Sequence, residues 1–357
     1  MVNKRIALIA AIVAVAVLAG CGRGEPGASD RPARAEKPAL PSRIVHVFCY
    51  HGIEPEPDNF YFNRTADFTQ QMQTLAEEGF ESITCKQLAD YLSGEQDLPE
   101  KSVLLSFDDG NLCVYEKACP IMEQYGFRAT LFLITGSMGG EAHMGWQHIR
   151  DLHARGYEIG AHTLTHANLT KPAEGQSLEE HQAAVVEELT APKEKIEQMI
   201  GEPVVAVAYP YGNYDEFVMS AVREAGYRLG FSIDRGAVDE QSNPWRLPRQ
   251  MVVRDNSLTT FKRWLAQEPL HLAGLSPPIG EVLSQTDVEI RARVLDEDVN
   301  PSALAVEAGK DTKLSVSEQT DELVITTRLS EGANSIRLQH AGSPSRERSW
   351  VIVCRPS

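Results

Sequence analysis

The run Ser106-Phe107-Asp108-Asp109-Gly110 sets two adjacent carboxylates at the end of an apolar stretch, Val103-Leu104-Leu105-Ser106-Phe107. Further along stands His162-Thr163-Leu164-Thr165-His166. One aspartate and two histidines can hold a divalent metal and leave a coordination position open for water. Asp109, His162 and His166 are the candidate ligands. Histidines at this spacing are expected on one face of a helical turn, so that both reach one ion. The other carboxylate, Asp108, is then available as a general base that takes a proton from the water. Each motif alone is weak, because His-x-x-x-His occurs on many helices and Asp-Asp often marks a cap or a turn. Their joint occurrence at expected strand ends points to a hydrolase centre.

Attack on a carbonyl also needs a donor for the oxyanion. Tyr209-Pro210-Tyr211-Gly212 ends a third expected strand, and the backbone N–H of Tyr211 is the candidate. A general acid must protonate a leaving amine. His51, in Tyr50-His51-Gly52, is the first candidate and His271, in Leu270-His271-Leu272, the second. The remaining histidines (His46, His143, His148, His153, His181 and His340) are read as structural.

The elements that must position these groups follow from hydrophobic patterning. Apolar runs predict strands at 44–50, 82–84, 102–107, 129–134, 157–161, 204–209, 228–233 and 250–253. Helices are expected at 86–92, 146–155, 178–200 (interrupted by Pro192) and 216–224, and Phe68, Met72 and Leu75 share one helical face. Alternating strand and helix over residues 43–270 predicts an α/β chain folded as a TIM-like β/α barrel, complete or distorted, with its site at the C-terminal ends of the strands. Helical patterning ceases after about residue 275, beyond which Pro277-Pro278 marks a break. Strictly alternating Val288 to Val294, with Leu323 to Thr327 and Ser349 to Val353, predicts a small all-β sandwich of immunoglobulin type over 275–357, of unknown role.

Residues 1–20 read as an export signal: Lys4 and Arg5 precede the apolar run Ile6 to Ala19, which ends in Leu18-Ala19-Gly20-Cys21. That ending resembles the lipobox of bacterial lipoproteins, which implies acylation of Cys21 and a membrane partner through a lipid anchor. Gly22 rather than an aspartate after the cysteine implies the outer membrane, facing the periplasm, in a Gram-negative cell. Residues 21–42, with Pro26, Pro32, Pro38 and Pro41, read as a flexible tether. The formal charge is −16, and loss of Lys4 and Arg5 with the signal makes the mature chain more acidic still. This argues against nucleic acid as a partner; a neutral polymer, or one that turns cationic during reaction, suits the charge. With Cys21 acylated, five cysteines remain, and no Cys-x-x-Cys pair points to a zinc-thiolate site.

Ser-Phe-Asp-Asp-Gly, His-Thr-x-x-His and Ala-Tyr-Pro-Tyr-Gly together resemble the polysaccharide deacetylases of the NodB-homology type, carbohydrate esterase family four, over about residues 44–267. The resemblance implies that Asp108 is the base, that Asp109, His162 and His166 bind zinc or a similar divalent metal, and that Tyr211 offers its amide to the oxyanion. Phe68, Gln71, Met72 and Leu75, with Leu98-Pro99-x-Lys101 and Tyr50-His51, look like the exported deacetylases of poly-N-acetylglucosamine biofilm polymers. Tyr209, Pro210 and Trp146 are candidates to line the sugar cleft. Two departures stand out. The family often carries an arginine where this chain has Ala208, and Arg246 or Arg249 is expected to replace it. The later Asp-Trp motif is matched only by Asp234-Arg235.

The function expected is metal-dependent removal of N-acetyl groups from an N-acetylglucosamine-containing extracellular or cell-wall polysaccharide. Two alternatives are a non-catalytic polysaccharide-binding protein on the same fold, supported only by the missing arginine, and an O-acetyl esterase using the same metal centre.

Overall fold

The fold is described from a computed structural model, which covers residues 40–356 apart from 318, 319 and 321. The export signal, the acylation site Cys21 and residues 22–39 of the tether lie outside the described residues.

Six buried residues, Val45–Tyr50, form the first long strand, and Ser102–Phe107 forms a second beside it in parallel, Val45 facing Ser102 and Tyr50 facing Phe107. Such unbroken apolar runs belong to parallel sheets covered on both faces. The sheet continues through Thr130–Leu133, Glu158–Ala161, Ala206–Ala208 and Leu229–Phe231, each parallel to the last. On the other side of Val45–Tyr50 lies Gln250–Met251, also parallel. The residues leading into that strand return to the far edge, where Leu247 bridges Phe231 in parallel. The ring is thus closed by one short irregular seam, which makes the domain a distorted β/α barrel.

Helices cover the outside. Thr65–Glu77 buries Phe68, Gln71, Met72 and Leu75 on one face. Cys85–Leu92 starts from a Thr84 capping box with Gln87. Leu178–Ile200 starts from a Ser177–Glu180 capping box and ends at left-handed Gly201. Pro192 lies within this helix without ending it; it lacks the N–H that would bond the Glu188 carbonyl. Among the described residues no helix is long and apolar enough to cross a membrane.

The C-terminal part is all β. One sheet joins Gln267–Pro269, Ser345–Cys354, Gly332–His340 and Ala305–Glu307, with Val282–Leu283 also on Ser345–Cys354; the other joins Leu272–Ser276, Asp287–Val294, Glu322–Arg328 and Lys310–Val316. Ile290, Leu323, Ile325, Ile336, Leu338, Trp350 and Ile352 form its core. Two strands that precede or straddle position 275 already pair into these sheets. Both are short, one holds a bulge, and neither alternates clearly, so patterning does not mark them. The β part is anchored on the barrel: Val351 and Val353 join the barrel core, and Ser349 and Arg235 exchange hydrogen bonds. The five described cysteines, Cys49, Cys85, Cys113, Cys119 and Cys354, are free and buried.

Candidate active site

The site lies where the barrel strands end. Asp108 and Asp109 follow Ser102–Phe107, His162 follows Glu158–Ala161, and Tyr211 lies just beyond Ala206–Ala208. Among the described residues five non-glycine residues have positive φ, and four of them are here: Asp109 (73°), Thr163 (64°), His166 (65°) and Tyr211 (61°). Left-handed backbone at such residues persists only where the surroundings over-determine it, and it clusters at functional sites.

The His162–His166 segment is a bent loop, which corrects the expectation of a helical turn. Periodicity cannot anticipate the cause, which is a partner on another element. The Glu188 carboxylate, from the middle of helix Leu178–Ile200, accepts hydrogen bonds from Leu164 N (3.0 Å), Thr165 N (2.9 Å) and Thr165 Oγ1 (2.6 Å). The His166 N–H donates to Thr163 Oγ1 at 3.0 Å. The loop is thereby folded so that both imidazoles face Asp109.

Asp109, His162 and His166 each present a ligand atom, and these lie within 4.8 Å of one another. His162 Nε2 is 3.7 Å and His166 Nε2 3.9 Å from Asp109 Oδ1. A tetrahedral ion with ordinary bond lengths spaces its ligand atoms by about 3.4 Å, so the set fits a divalent metal after small side-chain shifts. His162 Nδ1 is held by the Ala208 carbonyl at 2.8 Å, which leaves Nε2 for the ion. Burial pulls the His162 imidazole downward in pKa against the attraction of Asp108 and Asp109, and so favours the neutral ligand form.

Asp108 is buried beside this set, with Oδ2 3.8 Å from His162 Nε2. Its partner is Arg249, whose Nη1 and Nη2 donate to Oδ1 (2.7 Å) and Oδ2 (2.9 Å) in a bidentate clamp. Arg249 is fully buried, donates through Nε to Ser232 O at 2.9 Å, and faces the rings of Phe132 and Phe231. The guanidinium absent at Ala208 therefore comes from the seam that closes the barrel, from Arg249 and not Arg246. This removes the one feature that favoured a non-catalytic binding protein. Burial would push the Asp108 carboxyl up, but the Arg249 charge, with His162 and His51 behind it, holds it well below the usual carboxylate range. Cys49 Sγ also reaches Asp108 Oδ2, at 3.4 Å.

A cleft of about 350 Å³ opens over these groups. His51 lines it, and its Nδ1 is buried without a hydrogen-bond partner among the described residues. Tyr211 is half exposed, its ring edge-on to His166. Gly212 fixes the turn: its φ is +70°, and an added Cβ would stand 2.2 Å from Ile233 Cγ1. Tyr209 also lines the cleft, but it is fully buried and its hydroxyl donates to Trp245 O at 2.6 Å, so it shapes the wall rather than offering a polar group. Pro210 is buried and supports the Tyr211 turn.

Two expected residues fall elsewhere. Trp146 starts helix Trp146–Ala154, packs on the barrel core and has Lys195 Nζ over its ring, so it does not line the cleft. His271 sits at the junction with the β part, fixed between Asp239 and Asp296, and cannot serve as the acid here. Tyr61, which is not among the residues expected from sequence, also lines the cleft, with its ring 5.5 Å from that of His51. The signal was present: Phe60 and Tyr61 are adjacent aromatics in a polar, proline-rich stretch, and both are exposed.

Comparison with known proteins agrees with this geometry. Residues 95–230 match the family described as polysaccharide deacetylase. The poly-beta-1,6-N-acetyl-D-glucosamine N-deacetylase of Staphylococcus aureus (strain MRSA252) is 27% identical over 229 residues, which span 62% of this chain and 79% of that protein. The solved structure of IcaB from Ammonifex degensii superposes with a TM-score of 0.55 at 26% identity, covering 64% of this chain and 99% of the other. The Streptococcus pyogenes deacetylase PplD in complex with acetate shares the fold, with a TM-score of 0.57 at 22% identity over 62% of this chain and 98% of that one. With the clamped carboxylate, the three-ligand set and the strand-end positions all in place, the chain carries a catalytic domain of the polysaccharide deacetylase family, of the NodB-homology type.

Proposed function

We propose that this protein hydrolyses the N-acetyl groups of an N-acetylglucosamine-containing polysaccharide of the cell envelope or extracellular matrix, with a divalent metal, zinc by first choice, at Asp109, His162 and His166. The observation that carries this reading is the convergence of that ligand set with the Arg249-clamped Asp108 in one open cleft. The ion would polarise water and the acetamide carbonyl. Asp108, kept ionised by Arg249, accepts the proton of the attacking water at its carboxylate. The Tyr211 N–H donates to the carbonyl oxygen as negative charge gathers there. His51, which lines the same cleft, protonates the leaving amine.

The substrate class rests on the cleft rim and on kinship. Phe60, Tyr61 and Tyr211 are the exposed aromatics of the described surface; Tyr61 and Tyr211 line the cleft and Phe60 packs edge-on to Tyr61. Aromatic faces suit the apolar faces of sugar rings. The Staphylococcus aureus relative is named for a β-1,6-linked N-acetylglucosamine polymer, and we take that linkage as the first to test. Attachment to the outer membrane through acylated Cys21, facing the periplasm, belongs to the same reading and rests on residues 4–22. Cys21→Ala is expected to release the protein from the membrane fraction; retention there would contradict the anchor.

The test is acetate release by the purified, metal-loaded ectodomain from β-1,6-linked N-acetylglucosamine oligomers, chitooligomers and peptidoglycan. Release from at least one supports the reading. No release from any, with metal bound, would return weight to a binding role.

A further inference from the structure

A second cavity, of about 170 Å³, lies at the seam between the barrel and the β part. Arg235 and Arg246 enter it from barrel loops and Arg348 from strand Ser345–Cys354. None of the three forms an ion pair among the described residues. The Arg348 guanidinium has one weak acceptor, the Leu270 carbonyl at 3.4 Å. Two of the three acids around it, Asp239 and Glu347, already have a cationic partner. Asp239 is bound by His271 Nε2 at 2.6 Å, Glu347 is paired with Arg337, and Asp234 is buried with the Tyr214 hydroxyl 2.6 Å from its Oδ2. Arg235 is exposed, so two half-buried guanidiniums, Arg246 and Arg348, face the buried carboxylate of Asp234. That leaves one positive charge in excess at the junction, inside a chain whose net charge is −16.

Even partial withdrawal of a charge from water is costly, and proteins offset the cost with a counter-charge. Arg348 shows the strain: burial first, then repulsion from Arg246, draws its guanidinium down to about 10. Guanidinium forks match planar carboxylates and tetrahedral phosphates, and the cavity has room for a group of that size.

We propose that this seam cavity binds a small oxyanion, a carboxylate or a phosphate group, between Arg246 and Arg348, and that the bound anion ties the β part to the barrel. The groups that would hold it come from both sides of the junction. The site is separate from the catalytic cleft and uses none of its residues.

The test is thermal unfolding of the metal-loaded ectodomain at constant ionic strength, titrated with inorganic phosphate in one arm and acetate in the other. The chains compared are wild type, Arg246→Gln, Arg348→Gln and Arg291→Gln, the last changing an arginine on the outer face of the β part. A ligand that binds only the folded state raises the melting temperature along a saturating curve. Wild type and Arg291→Gln should show that curve with at least one anion, whereas Arg246→Gln and Arg348→Gln should need about tenfold more anion for the same rise. The arm that saturates first identifies phosphate or carboxylate. The same curve in all four chains would overturn the proposal, since binding would then lie elsewhere. So would the absence of a saturable rise in wild type, whatever the variants do. Acetate release in phosphate-free buffer should be equal in all four chains, which separates this outcome from failure of the catalytic reading.

Discussion

At the scale of single residues, the two adjacent aspartates are held by different partners. Asp109 faces two imidazoles; Asp108 faces a guanidinium. The buried clamp predicts asymmetric mutational effects. Arg249→Lys keeps one charge but loses the fork, and kcat should fall about tenfold or more with metal content unchanged, read by acetate release and metal analysis. Arg249→Gln strands a buried carboxylate and should cost about 3–5 kcal/mol of stability, read by denaturant unfolding. Equal activity in Arg249→Lys would mean that Asp108 needs a charge nearby but not this geometry. Asp108, Asp109, His162, His51 and Tyr211 stood out in the sequence because each lies within two residues of the end of an apolar run read as a strand, and His166 stood out by its spacing from His162. Arg249 was legible only as one of two candidates: the choice depends on which way the barrel-closing seam turns, and no periodicity carries that. Trp146 misled because a large aromatic near the motifs can pack on the core as well as line a cleft.

At the scale of elements, the metal loop is shaped by a helix distant from it in sequence. Glu188 spends its carboxylate on two loop amides and a hydroxyl, so Glu188→Ala should loosen the His162–His166 loop and weaken metal affinity by about 10–100-fold, read by competition with a chelator. Unchanged affinity would show that the left-handed residues hold the loop unaided. In the sequence Glu188 is one of many acids on an amphipathic helix, and nothing local marks its partner. The neighbouring turn depends on a glycine. Gly212→Ala forces a Cβ against Ile233 at positive φ, and kcat should fall while zinc is retained, because Tyr211 moves and the ligands do not. Strands were legible throughout the barrel, since parallel pairing buries both faces and leaves continuous apolar runs; the three that lead into His51, Asp108 and His162 end where the pattern placed them, and the other five end one or two residues earlier.

At the scale of the whole molecule, the β part is fixed to the barrel through a charged junction. His271 donates to Asp239 and Asp296, and Arg346 also reaches Asp296. These carboxylates, working against partial burial, raise the imidazole to about 9. A group raised in the folded state contributes stability that is complete below its unfolded value near 6.5 and is lost as pH climbs through the folded one. Melting temperature should therefore fall between about pH 6.5 and 9, and His271→Gln should flatten that part of the profile. A profile that keeps its slope in the variant would place the titrating group elsewhere. The barrel and an all-β region after it were legible from the change in pattern. The junction was not, because its ion pairs join residues far apart in sequence.

The account stands most directly on the division of labour between Asp108 and the metal ligands. Zinc content and acetate release should be measured on the same preparations of wild type, Asp108→Asn, Asp109→Ala and His162→Ala. Asp108→Asn is expected to keep zinc and lose nearly all activity, whereas Asp109→Ala and His162→Ala lose both together. Full zinc in both ligand variants, or full activity in Asp108→Asn, would contradict it.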